Sequence, residues 1–276
     1  MSGSGLAALT RLTVVALLSA GLAFTATTPA AADGNEAPGN PFSARSITAG
    51  SSHTCALTHS ATVKCWGENA FGQLGLGDVL PRGDAPGEMG NALPAVDLGT
   101  GRTATAITAG SNHTCALLDN ATVKCWGKND SGQLGLGDAL PRGDAPGEMG
   151  NALPAVDLGT GRTATAITAG SNHTCALLDN ATVKCWGNGG YGQLGQDSTV
   201  TLGDGAGEMA ALPAVNLGAG RTATAITAGG YHTCALLDNG QVKCWGYNVH
   251  GQLGQGSTAS LGDGAGEMAA LTAVNL

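Results

Sequence analysis

The side chains of this sequence best suited to chemistry are a histidine and two cysteines that recur together four times. His53, Cys55 and Cys65 form the first set. His113, Cys115 and Cys125 follow, then His173, Cys175 and Cys185, then His232, Cys234 and Cys244; the first cysteines step by 60, 60 and 59 residues. Two chemistries are open to such a set. Residues two apart share one face of a strand, so His53 and Cys55 could join Cys65 in ligating zinc. Alternatively, each cysteine pair closes a disulfide. A three-residue loop at 238–240 pairs 237 with 241 and therefore sets Cys234 opposite Cys244. Opposed residues of a non-hydrogen-bonded antiparallel pair lie about 4.5 Å apart at Cα, within reach of a bridge. Eight cysteines in four evenly spaced pairs behind a secretory leader favour disulfides over metal. Ala121 and Ala181 stand where Gly would ease a three-residue turn, which predicts a five-residue loop there.

The leader is residues 1–32. Arg11 supplies a positive start, 12–24 an apolar run, and Ala30-Ala31-Ala32 a small-residue cleavage site before Asp33, the pattern of a signal peptide. Residues 33–44 are a Gly/Pro/Asn-rich lead-in, and 45–276 carry the repeats. The expected location is extracellular or cell-envelope, with no membrane insertion once the leader is removed. The chain's formal charge is −8, with no Lys/Arg cluster. That disfavours nucleic-acid binding, whose affinity comes largely from phosphate neutralisation. With 42% hydrophobic residues and 46 glycines among 276, the chain can pack a core while turning often.

Those cysteines need strands to hold them. In the unit at 93–150, short β-rich runs fall at 93–98, 104–109, 113–118 and 122–126, separated by turn residues. A long connection dense in Gly, Asp and Pro follows. Fixed-period self-similarity with four strands per unit predicts an all-β propeller of about four blades. The chain finishes on 271–276, the counterpart of 93–98. The expectation is that this strand completes the first blade and closes the ring, with an open arc as the alternative.

The phrase Ala-Gly-x-x-His-Thr-Cys-Ala-Leu, then Val-Lys-Cys-Trp-Gly, then Gly-Gln-Leu-Gly, resembles the repeat of the regulator of chromosome condensation family, the RCC1-like propellers. It recurs across 45–276, and its cysteine pair resembles that of secreted bacterial members. The resemblance implies the propeller fold. It does not extend to the founder's activity, nucleotide exchange on a small GTPase, because a secreted acidic chain meets neither that partner nor chromatin. A secreted β-lactamase inhibitor built on the same propeller makes protein binding a fitting analogy. The third unit departs from the pattern: Trp186-Gly187-Asn188-Gly189-Gly190 lacks the Asn found at Asn69, Asn129 and Asn248.

His53, His113, His173 and His232 read as hydrogen-bonded blade residues, and Trp66, Trp126, Trp186 and Trp245 as packing between blades. Residues 80–127 and 140–187 are identical. Identical copies do not supply the distinct nucleophile, base and orienting group that catalysis needs. The expected function is therefore noncatalytic, with no cofactor or metal: a scaffold gripping an extracellular protein or cell-wall component through its long connections, 75–91, 135–151, 195–210 and 254–269. Candidate contacts there are Asp78, Arg82, Asp84 and Glu88, with Arg142, Asp144 and Glu148 in the next copy. Their carboxylates could also attract calcium. The Arg82-Gly83-Asp84 tripeptide loses its Arg in later units, so adhesion chemistry is not expected of it. Two alternatives are a propeller enzyme acting on extracellular polysaccharide and a truncated repeat array without independent function.

Overall fold

The computed structural model describes residues 43–276, so the leader and most of the lead-in lie outside the described residues. Among the described residues, twelve strands form four antiparallel sheets of three, each a blade. The first holds β1 (Ala44–Ala49), β2 (His53–Thr58) and β3 (Val63–Gly67). The second holds β4 (Ala104–Ala109), β5 (His113–Leu118) and β6 (Val123–Gly127). The third holds β7 (Ala164–Ala169), β8 (His173–Leu178) and β9 (Val183–Gly187), and the fourth β10 (Ala223–Ala228), β11 (His232–Leu237) and β12 (Val242–Gly246). Single-turn helices α1 (Glu208–Ala211) and α2 (Glu267–Ala270) sit in the later connections.

The central strand of an internal blade is apolar or small at nearly every position because both its faces are covered. In β5 all six residues are buried. Cys115, Leu117, Val123 and Cys125 face the third blade and pack against its Ala164, Ala176, Leu178 and Trp186. Two further clusters repeat this union at the other junctions. The core is therefore a series of seams between blades, each joining two different sheet faces.

Three features differ from the sequence-based expectations. The blade has three strands, not four. Residues 93–98 run extended beside β3 but make one backbone bond to it, from the Val96 N–H to the Val63 carbonyl at 2.8 Å. Pro94 has no N–H to extend a ladder, and Leu93, Val96 and Leu98 hold the segment by burial. That bond also places the segment on the blade before it in sequence. The last segment obeys the same rule, with Val274 N–H bonding the Val242 carbonyl of the fourth blade. It does not complete the first blade, and the four sheets form an open array. Finally, the turns with Ala are not longer. Leu118 N–H bonds Thr122 O and Ala121 N–H bonds Leu118 O, with Ala121 held at φ 62°. This matches the Gly240 turn, where φ is 81°.

Candidate functional site

The recurrent histidine and cysteines come together as the sequence spacing requires, but each element has its own task. Cys55–Cys65, Cys115–Cys125, Cys175–Cys185 and Cys234–Cys244 are disulfides across directly paired positions, with Cα atoms 4.1 Å apart. Their sulfurs are thus committed to one another. Among the described residues, no group of three His, Cys, Asp or Glu side chains is placed to hold a metal.

His53 Nε2 lies 2.9 Å from Thr114 Oγ1 of the next blade, and His113 and His173 meet Thr174 and Thr233 likewise. The Thr114 hydroxyl donates to the Gln73 carbonyl at 2.9 Å. It can therefore only accept from the ring, which fixes the Nε2–H tautomer and leaves Nδ1 as a bare lone pair. Nδ1 of His53, His113 and His173 has no partner and is buried. Protonation would add an N–H there with no acceptor. Burial accordingly pushes the pKa of His113 and His173 down to about 3, and that of His53 to about 4. Trp126, Trp186 and Trp245 are fully buried, and their Nε1–H groups donate to the carbonyls of Gln73, Gln133 and Gln193 in the preceding blade. Trp66 is only half-buried.

The charged residues of the long connections bond mainly within their own loops. Arg82 pairs with Asp78 at 2.6 Å, and Arg142 with Asp138 at 2.6 Å. Glu88 Oε2 accepts the N–H groups of Gly83 and Ala85, bonds that hold its pKa below the usual carboxylate range. Glu148 Oε2 likewise accepts the N–H groups of Gly143, Asp144 and Ala145. Burial, then the neighbouring Glu148, raises the pKa of Asp144. The braced loops then latch successive blades: Gly77 N–H bonds the Gly143 carbonyl and Gly137 N–H the Gly203 carbonyl, each at 3.0 Å. Asn69 and Asn129 clamp their loops by donating to the Asp78 and Asp138 carbonyls. In the third blade Gly189 takes that place because the Val200 carbonyl fills the space a side chain would need.

One exposed cluster breaks the repeat symmetry, and sequence reasoning passed over it. Tyr191, Tyr231 and Tyr247, all three tyrosines of the chain, gather where the third and fourth blades meet. Tyr191 lies 4.8 Å from Tyr247 and 5.5 Å from Tyr231, ring centre to ring centre, and His250 flanks Tyr247 at 6.4 Å. Tyr191 and Tyr231 are each 43% exposed. The signal was available: Tyr231 stands where the other units have Ser52, Asn112 and Asn172, and Tyr247 where they have Glu68, Lys128 and Asn188. In the equivalent place between the first two blades, Lys128 lies over the Phe71 ring at 5.3 Å. By contrast, the small cavity at the axis is lined by alanine, glycine and serine alone, such as Gly50, Ser51, Gly110 and Ser111. It presents no titratable side chain.

A model of the regulator of chromosome condensation (RCC1) repeat matches residues 62–117, 122–177 and 182–236, and a second RCC1-repeat model matches 44–73, 104–133, 164–193 and 223–252. The chain belongs to the RCC1-repeat family. This RCC1-repeat chain is 32% identical over 215 residues to the human probable E3 ubiquitin-protein ligase HERC4, covering 78% of the chain and 18% of the relative. It is 31% identical over 221 residues to the mitochondrial RCC1 domain-containing protein RUG3 of Arabidopsis thaliana, covering 78% and 44%. It thus spans less than half of either. The structure of Prp20p from Saccharomyces cerevisiae aligns with a TM-score of 0.57 at 21% identity, over 84% of this chain and 50% of that one. That likeness establishes the RCC1 fold.

Proposed function

We propose that this RCC1-repeat propeller is a secreted, noncatalytic scaffold that binds a protein at the cell surface or outside the cell through its inter-strand loops. The observation that carries the reading is the exposed cluster of Tyr191, Tyr231, Tyr247 and His250. Clustered tyrosines offer large contact area with two rotatable angles each, so little entropy is lost on binding, and aromatic residues are enriched at interface hot spots. Here they project from loops whose blades are braced by disulfides and latches, a preorganised support. Four disulfides and the leader-like residues 1–32 support an oxidising destination. Nucleotide exchange on a small GTPase forms no part of the reading.

The test is capture from the producing organism's culture medium and cell-wall fraction on the oxidised protein and on a Tyr191→Ala/Tyr247→Ala variant. The reading expects a protein held stoichiometrically by the first and lost by the second. Equal retention on both, or turnover of a polysaccharide abolished by one point change, would overturn it.

A further inference from the structure

At each of the three internal junctions the same chemistry joins two unlike faces. The leading blade offers a histidine Nε2 and a glutamine carbonyl. The following blade offers a threonine hydroxyl, which accepts from the histidine, and a tryptophan Nε1–H; both of the latter donate to that carbonyl.

Among the described residues, the first and fourth blades leave one half of this union each. On the fourth blade, His232 has no counterpart threonine and the Gln252 carbonyl accepts from no tryptophan. Leu236 there is 40% exposed, whereas its internal counterparts Leu117 and Leu177 are 6% exposed. On the first blade, Thr54 and the Trp66 Nε1–H lack a leading blade, and Ile47 is 73% exposed. Trp66, Ile47, Ala44, Ala56 and Met89 line an open apolar pocket there. They match residues that the second blade packs against the first: Trp126, Ala104 and Ala116, which are buried, and Ile107 and Met149, which are partly buried.

The glycines repeat the relation. A Cβ at Gly75, Gly135 or Gly195 would come within 2.8 Å of the next blade's tryptophan Nε1, whereas Gly254 faces no tryptophan, and a Cβ at Gly251 would meet nothing within 4 Å. Thr58 departs from the match, standing where Leu118 is, with its hydroxyl bonded to Ser60 and Thr62.

We propose that the two open faces dock onto those of a second copy of this chain, the fourth blade of one against the first blade of the other. His232 then meets Thr54 of the second copy, and Gln252 O receives that copy's Thr54 hydroxyl and Trp66 indole. The occupant is a second copy because this chain itself forms the same seam three times, so the docking surface continues an interface already present. A head-to-tail contact of unlike faces leaves one of each kind open after a single union. Two copies that exchange both faces close about a two-fold axis.

Sedimentation velocity over a range of concentrations, on the full chain purified oxidised, tests this. The expected result is a species of twice the monomer mass. Ile47→Glu and Leu236→Glu sit on exposed positions and should each give monomer. Mixing the two variants should restore association in part, since one of the two seams is then free of glutamate; this also shows that the variants fold. A monomer at every concentration overturns the proposal, as does a dimer that both single variants retain. So does a monomer in which hydrogen exchange finds Ile47 and Trp66 protected by residues 1–42.

Discussion

Acidification is the sharpest probe of the seams. His113 and His173 titrate at about 3 and His53 at about 4 in the folded chain, against about 6.5 when unfolded. The unfolded state therefore binds protons first as pH falls. The stability that comes from burying neutral imidazoles is fully present above about pH 6.5. It is lost progressively below that value, down to the folded pKa values of about 4 and about 3. At about pH 5 each of the three rings costs about 2 kcal/mol, about 6 kcal/mol together, which is comparable to the whole stability of many domains. The physical source is burial of a ring whose Nδ1 has no partner, while its Nε2–H is held by a Thr hydroxyl that itself donates to a carbonyl. For His113 the neighbouring His173 and His53 add a smaller push in the same direction. Urea unfolding of the oxidised protein at about pH 7 and about pH 5, followed by tryptophan fluorescence, reads this directly. The midpoint should fall steeply. A His113→Gln variant should be less stable at neutral pH but lose about a third less on acidification. A midpoint that stays level or rises between the two pH values would refute the tautomer assignment.

Replacing Cys115 and Cys125 by Ala removes a bridge with sequence separation 10 and should cost about 2–3 kcal/mol, read as a lower melting temperature. Ala121→Gly should raise the melting temperature, by up to about 1 kcal/mol of stability, because Ala121 sits at φ 62°, where a Cβ is penalised. Trp126→Phe should cost about 1 kcal/mol in urea unfolding for the lost indole bond to Gln73, a modest figure because that carbonyl keeps its Thr114 donor. Amino-terminal sequencing of the protein exported by its own host should begin at Asp33; export with residues 1–32 intact would count against the leader reading.

Local rules made much of this protein legible in its amino acids. The hairpin register followed from a three-residue loop, which placed Cys234 opposite Cys244 as the structure does. What local rules missed was long-range. The segment at 93–98 reads equally well as a strand before or after its unit, and only the Val96–Val63 bond assigns it to the preceding blade. Ala121 looked unsuited to a tight turn, yet blade packing holds it at positive φ. The loop acids looked available to a ligand, and the structure shows many of their oxygens bonded to backbone amides of the same loop. The tyrosines are far apart in sequence at 191, 231 and 247, and nothing local says that they meet.

The repeated His-Thr-Cys and Lys-Cys-Trp phrases were enough to read the central hairpin, its staple and the family resemblance, because strand period, loop length and cysteine spacing are properties of neighbouring residues. Which faces are covered was settled only by tertiary structure. Burial belongs to a pair of blades: the same tryptophan is sealed at 126 and half-open at 66, according to whether a blade precedes it.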